Sequence, residues 1–147
     1  MIRVPRVALI LFSLGFGVYH GILGLLYLTQ YDRPEFAANA ISLYFVALLL
    51  TLLSRPGLRL RAPIAYFNLL VALVVPILMA QAIRPDYAFG YSTWHVAGLA
   101  TLMGITAVRQ HPILAWLGVL FVVAEVLIWG GPATLFNSGD LDATADV

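Results

Sequence analysis

Residues Pro112–Trp129 read PILAWLGVLFVVAEVLIW, an apolar run long enough to cross a bilayer as a helix, with a single charge in it, Glu125. A carboxylate at the centre of a membrane helix costs about 2.5–3.5 kcal/mol even on the mildest insertion scales. It is therefore expected to turn inward, toward other helices, and the rest of the chain is read relative to it.

The composition agrees with a membrane solvent. Of the 147 residues, 62% are hydrophobic and 10% charged, and the mean hydropathy is +0.95, against roughly 45–50% apolar and 25% charged in soluble domains. The length allows one compact bundle and no separate soluble domain. Every basic residue is Arg, none Lys, which carries no argument for nucleic acid. With no Cys, disulfides, thiolate metal sites and a cysteine nucleophile are excluded, and the redox compartment stays open.

Four further apolar runs precede the first. Arg3 and Arg6 lead into Val7 to about Leu28, too long for a secretory h-region and without a small-residue cleavage site, so an uncleaved first helix is expected. Its Ser13, Gly17, Gly21 and Gly24 fall on one face, a strip of small residues that lets a neighbouring helix approach closely. His20 lies beside this strip. A polar turn ending at Pro34-Glu35 separates the second helix, Phe36 to Ser54, with Asn39 near its start and Tyr44 near its middle. After the Arg55-Pro56-Gly57 turn comes the third, Ala62 to about Ile83, carrying Asn68, Pro76 and Gln81. An aromatic turn, residues 84–91, suits the headgroup level, and the fourth helix spans Ser92 to Val108 with Trp94 and His95. The fifth, 112–130, stops at Gly130-Gly131-Pro132. Residues 133–147 carry three Asp and no basic residue, an acidic tail expected to be flexible.

The charges give an orientation. With the N-terminus inside, six of the eight Arg (Arg3, Arg6, Arg55, Arg59, Arg61 and Arg109) are cytoplasmic, and only Arg33 and Arg84 lie outside. The positive-inside rule thus favours an all-α polytopic protein of the bacterial cytoplasmic membrane, with five transmembrane helices, N-in and C-out.

At 1.5 Å rise per residue, His20, Glu125 and His95 come out roughly 4, 6 and 7 Å outside the bilayer midplane, with Asn39 at roughly 9 Å. Two readings stay open. The carboxyl can be protonated and staple helices through a hydrogen bond to a His or Asn. Alternatively Glu125, with His20, His95, Asn39 and Trp94, forms a ligand-binding or proton-sensing pocket. His20 and His95 are two histidines on different helices, as a bis-histidine haem would need, and with Glu125 they have the ligand types of a zinc site, but not a recognised spacing. No metal or cofactor is assigned. Trp94 is otherwise an interface or packing residue, and His111, beside Arg109, a solvated loop residue.

The second half carries a resemblance. Gly90-Tyr91-Ser92-Thr93-Trp94-His95, Gly98 to Gly104 (GLATLMG), His111 to Gly118 (HPILAWLG) and Trp129-Gly130-Gly131-Pro132 together resemble the membrane region preceding the kinase core in some actinobacterial sensor histidine kinases. The resemblance implies a sensory input region. No phospho-acceptor helix or ATP-binding domain follows Pro132, so it implies an input without its output, signalling through another membrane protein. The expectation is a non-enzymatic sensory or regulatory module whose partners are the bilayer and another membrane protein. A small carrier or channel using Glu125, or an accessory subunit of a larger complex, are the other readings.

Overall fold

The computed structural model describes residues 6–54, 59–83 and 93–129. Among them the chain is all-α. They form five helices, α1 Arg6–Leu26, α2 Pro34–Leu53, α3 Ala62–Ala82, α4 Trp94–Val108 and α5 Pro112–Trp129, with a 3-10 turn, Leu28–Gln30, between α1 and α2. Arg3, Arg55, the aromatic turn 84–91 and the acidic tail 133–147 lie outside the described residues.

Helix boundaries follow local chemistry. The sequence reading ends the first helix at about Leu28 and begins the second at Phe36; α1 ends at Leu26, and Pro34 opens α2. The missing N–H of a proline costs nothing at a first helical position, where no acceptor precedes it. α3 runs through the buried Pro76 without interruption. α4 ends in a six-residue reverse, in which Gln110 takes a left-handed φ of 71°, its N–H bonds to the Ala107 carbonyl at 3.1 Å and that of His111 bonds to Thr106 at 3.1 Å. This pattern satisfies the last helical carbonyls, with Gln where Gly is commoner.

The helices close in the order α1, α2, α3, α5, α4 and back to α1, and α4 also packs on α3. Small residues permit this. Gly17, Gly21 and Gly24 are buried against Tyr44 and Leu48, Phe45, and Trp94 respectively; a Cβ on Gly21 would lie 2.6 Å from the Phe45 ring. Ser13, at the head of the strip, is half-buried. The Tyr44 hydroxyl donates to the Gly17 carbonyl at 2.9 Å, and its ring meets Trp94 edge to face at 5.2 Å.

The molecule is apolar on the outside. Phe12 is 74% exposed, Leu53 71% and Ile113 75%, with Tyr66, Ile77, Trp116 and Leu120 also exposed, whereas soluble monomers rarely show apolar patches beyond a few hundred Å². Asn68, Thr51, Thr106, His95, Arg109 and Glu125 are buried instead. Among the described residues, two helices, α2 and α3, are long and apolar enough to cross a membrane.

Candidate functional site

The buried polar groups fall into two clusters at opposite ends of the bundle. At one end, where Leu60, just before α3, meets the α4–α5 turn and its N–H bonds to the Arg109 carbonyl at 3.2 Å, every group has partners. Asn68 Nδ2 donates to Thr51 Oγ1 at 3.0 Å and to Thr106 Oγ1 at 3.1 Å, and Thr106 Oγ1 donates back to the Leu102 carbonyl at 2.9 Å. Arg109, 2% exposed, reaches across to donate from Nη1 to the Thr51 carbonyl at 2.9 Å and to Ser54 Oγ at 2.6 Å. It thus neutralises the negative end of α2. Burial lowers its pKa, yet a guanidinium does not lose its proton in a protein, so those acceptors hold a permanent cation. His111 is not the solvated residue expected: its Nε2–H donates to the Leu60 carbonyl at 2.7 Å, because the left-handed turn at Gln110 swings it back over the start of α3.

At the other end the pairing is incomplete. His95, in the first turn of α4, and Glu125, one turn before the end of α5, lie with Nε2 and Oε2 3.8 Å apart, their side chains 5% and 8% exposed. That separation is an ion-pair distance, too long for a good hydrogen bond. His95 Nδ1 and Glu125 Oε2 are buried without a hydrogen-bond partner.

His20 shares the level but not the contact. Gly24 packs on Trp94, and Gly17 and Gly98 flank the same Tyr44 side chain, so the stretch of α1 holding His20 runs antiparallel beside the stretch of α4 holding His95. The His20 ring nonetheless lies against its own helix, 4.5 Å from Phe16 and 5.3 Å from Tyr19 by ring centroids, and both its nitrogens are buried without a hydrogen-bond partner. Asn39 does not belong to the site: it is exposed on the outer face of α2. Depth along a helix says nothing of rotation about its axis, and that rotation turns Asn39 outward. Trp94 is a core residue, 2% exposed, whose ring stands edge to face with His95 at 6.2 Å and thereby walls the pair. Its indole neighbours Tyr31, whose buried hydroxyl is pushed up to about 12 by burial and so stays a neutral donor.

Among the described residues, no three of His, Cys, Asp and Glu come together as metal ligands do. Sequence reasoning missed the Asn68 network and the buried role of Arg109. An amide inside an apolar run was the available signal for the first; nothing distinguishes Arg109 from an ordinary loop cation. Comparison with protein-family models, with curated proteins and with solved structures finds no match.

Proposed function

We propose that the chain is a five-span protein of the bacterial cytoplasmic membrane, N-in and C-out, acting as a sensory or regulatory module whose input is read at the His95–Glu125 pair. The membrane reading is supported by the exposed apolar exterior and buried polar interior and by two helices of full spanning length. α4, at 15 residues, is only about 22 Å long. It is covered by α1, α3 and α5 and need not match the bilayer by itself. The resemblance of the second half to the membrane region of sensor histidine kinases points the same way, with output through a partner membrane protein.

The observation that carries the sensory reading is the contrast between the two clusters. This protein pairs a buried amide and a buried guanidinium fully, yet leaves His95 Nδ1 and Glu125 Oε2 without partners. Buried unsatisfied polar atoms cost roughly 1–3 kcal/mol each and concentrate where a group has to change state. Taking up a proton, or a small polar ligand, between α4 and α5 alters the attraction that holds the two helices. α4 also packs on α1 and α3, so the change reaches most of the bundle.

Trp94, in ring contact with His95, supplies the readout. With Trp116 and Trp129 replaced by Phe, the emission of Trp94 in the purified protein should change with pH, and Glu125→Gln should abolish or displace that transition without unfolding the protein. A transition identical in parent and Glu125→Gln would reduce the pair to a structural staple. Proton flux through proteoliposomes, lost in the same variant, would favour the carrier reading instead.

A further inference from the structure

The arginine-rich end of the bundle holds a cleft of about 550 Å³ between the end of α2, the start of α3 and the end of α4. This is within the range of small-ligand sites, about 300–1,000 Å³. Arg59, Arg61 and Arg109 line it together with the apolar Leu50, Leu53 and Ile64. Arg109 is committed to the end of α2, as described. Arg59 and Arg61 are exposed and face no carboxylate among the described residues: Asp32 and Glu35 lie at the opposite end, and Glu125 is near the far end of α5. Ile64, in the first turn of α3, brings the positive end of that helix's dipole to the same cleft.

The charge calls for an anion, and the guanidinium fork matches phosphate oxygens. The apolar part of the lining decides which kind. Leu53, in the last turn of α2, is largely exposed, facing outward where acyl chains lie if the protein spans a bilayer. A soluble phosphate would leave that wall unused. A phospholipid would place its phosphate on the arginines and its first methylenes along the leucines.

We propose that this cleft binds the phosphate of an anionic phospholipid from the cytoplasmic leaflet, through Arg59 and Arg61, with Arg109 adding its charge from the wall. The choice of lipid rests on the membrane reading above; the phosphate chemistry rests on the cleft alone. The site is separate from the His95–Glu125 pair.

The test titrates the full chain, purified in a neutral detergent, with dioctanoyl phosphatidic acid, dioctanoyl phosphatidylglycerol, dioctanoyl phosphatidylcholine and inorganic phosphate, following binding by calorimetry. The two anionic lipids should bind and phosphatidylcholine should not. Arg59→Gln combined with Arg61→Gln should weaken anionic-lipid binding about thirtyfold, while Arg59→Lys with Arg61→Lys should restore most of it, since charge survives. Glu125→Gln should bind lipid as the parent does, which separates this site from the sensory one. Equal affinity for phosphatidylcholine, or anionic-lipid binding untouched by the glutamine pair, overturns the proposal. Inorganic phosphate binding as tightly as the lipids, with the same arginine dependence, overturns the lipid source and leaves a soluble phosphate site.

Discussion

Asn68 shows what a satisfied polar group does in this interior. Its amide joins α3 to Thr51 of α2 and Thr106 of α4, and interhelical hydrogen bonds of this kind average about 0.6 kcal/mol and reach about 1.7 in membrane proteins. Asn68→Leu, similar in volume, removes both bonds and strips Thr51 of its side-chain partner, so a loss of roughly 1–2 kcal/mol is expected. Denaturation by a stepwise increase of a harsh detergent reads it. A variant as stable as the parent would mean that the amide is merely tolerated there. The sequence marks Asn68 as an amide within an apolar helix but not its partners, since these sit on two other helices and Thr51 and Thr106 look like ordinary membrane-helix threonines. Arg109 was harder still, because a cation in a turn normally reads as solvated, and only the fold brings the end of α2 beneath it.

Among the elements, α1 is the one whose packing is written most openly in its sequence. A strip of Gly at helical spacing specifies a face but not what fills it, and the fillers are aromatic: Tyr44, Phe45 and Trp94. Gly21→Leu would drive a branched side chain into the Phe45 ring, and overpacking of that kind costs about 1–3 kcal/mol. Gly15, where nothing lies within 4 Å of an added Cβ, provides the control, and Gly15→Leu should leave the unfolding point unchanged or raise it. Equal behaviour of the two variants would mean that the Gly21 face does not pack as described. The same helix marks the limit of sequence reading. Spacing gave the level at which His20 runs beside α4, but not the direction in which the His20 or Asn39 side chain points. In helices apolar on nearly every face, the contrast that fixes rotation in a soluble amphipathic helix is weak, so Asn39 could be exposed and His20 could lie on Phe16 without any sign in the pattern.

At the scale of the whole molecule, the helix count and order follow from four breaks in the apolar sequence, at Pro34, at Arg55-Pro56-Gly57, at residues 84–91 and at Gln110-His111-Pro112. A rise of 1.5 Å per residue also gives His95 and Glu125 similar levels, and these two side chains do meet across α4 and α5. The orientation in the membrane depends on charge alone. The fold gathers Arg59, Arg61 and Arg109 at one end, while Asp32 bonds through its backbone to the end of α3 at the other, Asp32 N–H to the Ala82 carbonyl at 3.1 Å. If the chain spans the membrane as proposed, the positive-inside rule puts the arginine end in the cytoplasm. A reporter active only in the cytoplasm should then give signal when fused after Arg59 and none when fused after Asp146. Signal at both positions would require an even number of crossings between them, against the three helices α3, α4 and α5 that separate them. Absence of signal after Arg59 with signal after Asp146 would invert the protein, and the arginine cleft would then face away from the cytoplasmic leaflet that the lipid proposal needs.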